Sequence, residues 1–561
     1  MAARRFTLAV PVDLALAAGV VVVAVVAALA SSVLQPFDAP EVDPRPILLP
    51  LYLFRSLARL LVAYTLAALL ALATGHLAAR SRLARRMILP TLDVLQSVPI
   101  LGFFPAAVAV FIGIFGKSAL GVEAAAVFLI FTSMFWNLAF GVYESLITIP
   151  EDVRMAADQF GLRGPLRWSR LLLPAAIPTF LYNSILSWSN GWYFLIASEI
   201  IAVGKAHYTL PGLGSYLGEA ITMGRTDQMV LALLTLIATT VAMHLLVWSP
   251  LETWAERFHL DESGVRPRTP RIMRWLRRSR IARWVLNKVI VPASQHLLIA
   301  VARVMDRAGR LGAPGFVAFA MVVLTAVGYG AYREYLLLVS RPLSEEARQI
   351  PASLALSFFR VGVGVIVAAL LSVPLAYLTF RRARVRLATL SLLEILGSVP
   401  AVAFFPLIAV LMLRLGFDMD TGAILLVLTG TFFYVMFNVL SGATAVPKEM
   451  NEAAASLGLT GVRYLRRVFV PAILPSLVTG CVTAWGGGWN AIIFAEYVVA
   501  AGKTYSVQGI GATLDHATYV TGDMQVVTLS LLTMVVLVVL VNRIFWDPLY
   551  QHVASRYKLD T

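Results

Sequence analysis

Long apolar runs alternate with short polar, often basic, segments along the whole chain. The runs lie near residues 14–33, 60–79, 98–115, 124–143, 171–198 and 229–248, and again near 315–332, 361–380, 395–413, 421–447, 468–495 and 524–541. Crossing hydrocarbon takes about 20 apolar residues, because each backbone amide must find its acceptor within its own segment. The pattern predicts an all-α polytopic membrane protein of about twelve spans, six per half, in two tandem domains. A signal peptide competes for the first run, since Arg4 and Arg5 precede it and Ala28-Leu29-Ala30 resembles a cleavage site. Its apolar stretch is longer than a signal core usually is, which favours a span.

Composition agrees with this class. Hydrophobic residues make up 59% of the 561 and charged residues only 14%, more apolar surface than a water-soluble core of this size needs. Charge then orients the spans. With the amino terminus inside, the inner loops 80–93, 144–170, 381–394 and 442–467 carry 16 Lys and Arg, against 9 in the outer loops. This bias puts both termini in the cytoplasm. It also accounts for most of the +15 net charge, which points to anionic lipid headgroups and not to nucleic acid. Residues 1–250 and 315–561 read as two membrane domains. Residues 251–314, with thirteen Lys or Arg, read as a basic cytoplasmic linker in which Trp275, Ile281, Trp284 and Val285 share a face of an amphipathic helix lying on the membrane. A solvated basic spacer is the plainer alternative. Cys481 is the sole cysteine, so no internal disulfide forms.

The halves repeat one another. Ser97-Val98-Pro99 and Phe103-Phe104-Pro105 recur as Ser398-Val399-Pro400 and Phe404-Phe405-Pro406. Asn137 returns as Asn438, Trp188 and Trp192 as Trp485 and Trp489, and Gly212-Leu213-Gly214 as Gly509-Ile510-Gly511. Six spans per half give both halves the same orientation, so they pair about an axis along the membrane normal. Two inner loops carry the clearest repeat, MAADQFGLRGPLRWSRLLLP at 155–174 and EAAASLGLTGVRYLRRVFVP at 452–471. Paired alanines (Ala156-Ala157, Ala453-Ala454) admit another surface close to the backbone. Gly161 and Gly458 permit a sharp change of direction, and the later prolines restart a helix. Phe160, Leu162, Leu457 and Leu459 offer apolar contacts, while Arg163, Arg167, Arg170, Arg463, Arg466 and Arg467 supply charge. An ordinary turn between spans explains one such loop; two at matching places read as docking surfaces.

This pattern resembles the signature loop of ABC importer permeases, and residues 60–250 and 355–548 resemble their type I permease domain, above all the nitrate, sulfonate, taurine and bicarbonate group. Most such permeases carry one domain per chain and dimerise; here the dimer looks fused. The resemblance implies that each loop is a coupling helix seated in a cytoplasmic ATPase, two per chain, formed by Asp152, Met155, Ala156, Ala157, Gly161 and Arg163, and by Glu452, Ala453, Ala454, Gly458 and Arg463. It implies a pathway between the halves, a solute-binding protein docking outside, and a place in the cytoplasmic (inner) membrane of a bacterium. Met155 departs from the family, which has an acid there as Glu452 does; Asp152, one helical turn earlier, is its candidate substitute.

ATP has no site in this chain. Gly116-Lys117-Ser118 and Gly502-Lys503-Thr504 mimic the end of a phosphate loop, but Phe111 and Tyr497 stand where its first glycine belongs. ATP and Mg are therefore expected in the partner ATPases, and no cofactor, metal or catalytic residue is assigned here. His76 and His244 are single histidines without a second ligand at metal spacing. Pathway candidates are the polar and aromatic residues within spans: Asn137, Trp188, Asn190, Trp192 and Glu199, with Asn438, Trp485, Trp489, Asn490 and Glu496. Packing across helices is the alternative for the amides and indoles, and a helix end meeting water for the two glutamates. Gly486, Gly487 and Gly488 suggest local unwinding or close helix contact. A small anion such as nitrate, bicarbonate or an organic sulfonate is the solute the resemblance suggests, although no Lys or Arg lies in the central helices to pair with it; ferric iron or thiamine fits a related fused permease. An ion-coupled secondary carrier would bury a carboxylate mid-helix, and a lipid enzyme would cluster acids, bases or metal ligands; neither pattern is present.

Overall fold

The computed structural model describes residues 42–97, 119–203, 206–255, 342–380, 399–444, 446–500 and 503–557, with isolated residues between these stretches. Among them, eight helices are long and apolar enough to cross a membrane, four in each half. In the first half these are α1 (Leu49–Arg80), followed by a shorter α2 (Arg82–Ser97), then α3 (Ala119–Ile147), a continuous rod from Trp168 to Glu199, and one from Thr226 to Glu252. The expected spans at 14–33 and 315–332, and the linker with Trp275 and Trp284, lie outside the described residues, as does most of 98–115.

The second half repeats the order, with long helices over Glu345–Phe380, Met419–Thr444, Gly461–Ala495 and Met524–Arg556. The run expected at 395–413 is interrupted. Val399 and Pro400 bend the chain, a 3-10 turn covers Ala401–Phe404, and a ten-residue helix follows over Phe405–Arg414 with Pro406 in its first turn. The 3-10 turn carries Ala403 and Phe404 into the apolar core of the first half. Two other helices begin earlier than apolar run length suggests, at Leu49 and Glu345, and each early stretch includes an arginine that is buried and paired inside the protein.

In each half the first three long helices pack side by side, Leu49–Arg80 on Ala119–Ile147 and that on Leu173–Glu199, with the same trio in the second half. At one end of the bundle sits a short antiparallel hairpin in each half, Ile200–Val203 with Ala206–Thr209 and Tyr497–Ala500 with Lys503–Ser506. Each hairpin touches the opposite half: Tyr497–Ala500 meets Leu213–Thr222, and Ile200–Val203 meets the π-helical turn His516–Thr521. The other end carries the two repeated loops.

Candidate functional site

Each repeated loop folds into a nine-residue helix, Glu151–Gln159 in one half and Lys448–Ser456 in the other. Glycine ends both in the same way. Gly161 and Gly458 take φ of +69° and +65°, a left-handed backbone that side chains resist. The amide of Leu162 donates to Ala157 O and that of Gly161 to Asp158 O; Leu459 and Gly458 repeat this with Ala454 O and Ala455 O. This is a Schellman cap, which satisfies the last carbonyls and turns the chain sharply. A second left-handed glycine, Gly164 or Gly461, then launches the next helix.

The cap leaves one face in and one face out. Ala157 and Ala454 are buried, while Phe160 is 83% exposed, Leu457 76% and Met155 56%. Asp152, Arg163, Glu452, Ala453, Gly458 and Arg463 are also exposed, and Ala156 is half-buried. Two apolar knobs ringed by charge thus project from the same end of the molecule. Their moorings differ: Arg154 donates to Leu146 O at 2.5 Å and Arg167 pairs with Asp158 at 2.8 Å in the first loop, whereas Tyr464 donates to Asn451 at 2.5 Å in the second.

At the hairpin end, Glu199 and Glu496 are fully buried, and each is gripped on all sides. Arg59 reaches Glu199 at 2.9 Å and binds Glu123 through two nitrogens at 2.7 Å each. Arg360 reaches Glu496 at 2.6 Å and also pairs with Asp420. Ser56 and Ser357 donate to the same glutamates and accept from the amides of Leu213 and Ile510 at 2.8 Å. The amides of Gly214 and Gly511 donate to the second carboxylate oxygens at 2.5 and 2.8 Å. Each arginine also donates to the turn itself, at Pro211 O and Gln508 O. A Cβ on Gly212 or Gly509 would overlap the carboxylate, so the repeated glycines are what bring this turn onto its glutamate. Each bracket clamps the turn that follows its hairpin to the first long helix of the same half. Sequence reading found the glutamates and glycines but missed Ser56, Arg59, Ser357 and Arg360. The signal was a Ser-x-x-Arg turn recurring just ahead of each apolar run.

The four candidate indoles pack into the cores of their own halves. Trp188 lies edge-on to Tyr64 and Trp248, and Trp485 edge-on to Phe358 and Trp489. The asparagines pair differently from the sequence expectation. Arg59 and Arg360 are 301 residues apart, but their partners Glu123 and Asp420, like Trp188 and Trp485, are 297 apart. In that register Asn137 matches Tyr434 and not Asn438, and Asn490 matches Tyr193 and not Asn190. The three-glycine run stays helical within Val470–Ala495 and serves close contact, since a Cβ on Gly487 would come 2.7 Å from the Tyr434 ring.

Where the halves meet, Tyr434 donates to Asn190 Oδ1 at 2.7 Å, Tyr193 donates to the Asn490 carbonyl at 3.1 Å, and the Ile100 amide donates to Asn490 Oδ1 at 3.0 Å. Asn438 instead donates to Tyr434 O in its own helix.

This duplicated architecture has known counterparts. The family described as binding-protein-dependent transport system inner membrane component matches residues 65–249 and again 360–558, once in each half and over most of the chain. The chain belongs to that family. It is a multi-pass ABC transporter permease with two family domains fused in tandem. The permease is 29% identical over 182 residues to the taurine transport system permease protein of Escherichia coli, covering 32% of this chain and 65% of that one. It is 26% identical over 179 residues to a nitrate import permease protein of Leptolyngbya laminosa, covering 32% and 59%. An ABC transporter permease protein of Methanocaldococcus jannaschii shares 32% over 141 residues, covering 25% and 51%. The matched stretches span between about half and two thirds of these relatives.

Proposed function

We propose that this permease carries a small solute inward by alternating access, driven by two cytoplasmic ATPase subunits that seat on the loops at Glu151–Gln159 and Lys448–Ser456. The observation that supports this most is the pair of glycine-capped helices presenting Met155, Phe160 and Leu457 to the outside of the protein at one end. Exposed apolar side chains on a rigid, short, moored helix suit a groove on a partner. Rigid long helices continue from each knob, so a push on both would tilt the halves against each other. ATP and Mg would be bound and spent by those partners. The basic loops favour placing the knobs and both termini in the cytoplasm, with the hairpins facing an extracytoplasmic solute-binding protein.

The finer reading is that the solute is a small anion such as nitrate, bicarbonate or an organic sulfonate. The names of the taurine and nitrate relatives support it. Affinity purification of the tagged chain tests the proposal: an ATPase should co-purify, and its activity should become uncoupled from uptake when Gly161 and Gly458 are both changed to Val. Solute uptake into liposomes containing this chain and no ATPase would instead favour an ion-coupled carrier.

A further inference from the structure

The cross-half hydrogen bonds of Asn190, Tyr193, Tyr434, Asn490 and Ile100 form a layer of uncharged polar groups. Asn490 precedes Glu496 by six residues and Asn190 precedes Glu199 by nine, which places the layer roughly 9 to 14 Å inward of the brackets at 1.5 Å per residue. Further toward the docking loops the same helix faces become exposed. Seven and eleven residues before Asn490 lie Thr483 and Thr479, on the same face by helical period, and both are exposed. Eleven residues before Tyr193 lies Tyr182, 56% exposed. The seam is therefore shut at Asn190, Tyr193, Tyr434 and Asn490 and open below it.

We infer that this layer is the outer seal of the pathway in an inward-open state, and that its hydrogen-bonding groups are also the solute's contacts, suited to a small oxyanion. The inference rests on the permease working as proposed above. Parting the halves releases two phenolic hydroxyls and the Ile100 amide as donors. The Asn490 carbonyl needs no replacement, because it sits within a helix and keeps its place in the backbone ladder. Of the two freed side-chain oxygens, that of Asn490 belongs to an amide whose N–H stays on Gly486 O at 3.2 Å, while that of Asn190 belongs to an amide with N–H groups of its own to offer. The open layer thus has a surplus of donors, which an acceptor-rich solute satisfies and a cation does not. No Lys, Arg, Asp or Glu is among the bonded groups of the layer. Neutral donors hold an anion without a fixed counter-charge, so it can leave again. The two flanks are unequal: Tyr434 fills the space above Gly487 on one side, and Asn490 receives Ile100 on the other.

The test uses the full chain in proteoliposomes, with Cys481→Ala as background and single cysteines at Thr483, Thr479 and Phe160, labelled by a membrane-impermeant thiosulfonate added to one side at a time. Thr483→Cys and Thr479→Cys should react from the side that reaches Phe160→Cys and not from the other. Adding Tyr434→Phe, which keeps the ring and drops one cross-half bond, should raise labelling of Thr483→Cys from the far side by about fivefold. Nitrate or ethanesulfonate should slow labelling of Thr483→Cys, and choline should not. Equal labelling from both sides in the unaltered background overturns the seal, as does a Tyr434→Phe variant that melts like its parent and leaks no more. Protection by choline, or by neither class of ion, overturns the oxyanion assignment. Failure of the importer reading would appear separately, as a chain that captures no ATPase.

Discussion

Arg59 and Arg360 show how a single charged residue organises a membrane protein. Each lies about 5% exposed at the head of the apolar stretch of its helix, and shares its guanidinium between two carboxylates and a backbone carbonyl. Removing one partner of a buried pair leaves the other charge stranded, at a cost of about 3–5 kcal/mol. Arg59→Met should destabilise the permease by that much in a detergent unfolding titration, and Arg59→Met with Glu199→Gln should recover part of it. A single variant as stable as the parent would mean that the bracket does not hold the hairpin. Outside the spans, burial pushes Asp515 up to about 8, and the nearby Tyr497 hydroxyl draws it back only in part. A folded-state value above the unfolded one means the native state binds its proton more tightly, so stability falls as pH climbs from about 4 toward 8 and then levels off. Asp515→Asn should accordingly raise the melting temperature at pH 9 and leave it nearly unchanged at pH 4; an equal effect at both would exclude this origin. At this scale the sequence disclosed identities better than roles. Trp188, Trp192, Trp485 and Trp489 were conspicuous, and their rings lie in the cores of their own halves, whereas Tyr193 and Tyr434 attracted no notice because nothing at their sequence positions repeats.

Among elements, the repeated loops were the most legible, since paired alanines and a glycine at fixed spacing leave little choice of backbone. The Schellman caps at Gly161 and Gly458 follow directly from that spacing. The hairpins at Ile200–Val203 and Tyr497–Ala500 were not legible, because four-residue strands are too short to display a period of two. Helix starts at Leu49 and Glu345 were misplaced for a different reason: hydropathy penalises an arginine whose counter-charges lie 60 to 140 residues away. Met155 marks the difference between the two loops. Being 56% exposed, it can be changed to Glu with less than about 0.5 kcal/mol effect on folding, while ATPase stimulation should shift if the two sockets are matched to different surfaces. Unchanged stimulation would show the difference to be neutral.

For the whole molecule, the repeat predicts two like-oriented halves, and the structure adds that they are interlocked. Each hairpin rests on the opposite half, the 3-10 turn at Ala401–Phe404 inserts into the first core, and a polar layer ties α-helical faces across the seam. The account depends on force entering through the two exposed knobs. The most direct measurement is cysteine cross-linking in native membranes, with Phe160→Cys and Leu457→Cys introduced into a Cys481→Ala background and joined by a short bifunctional reagent to whatever protein sits there. Both positions should capture an ATPase subunit, and nucleotide should change the yield. Capture of no ATPase at either position, or labelling of both solely from outside the cell, would contradict it.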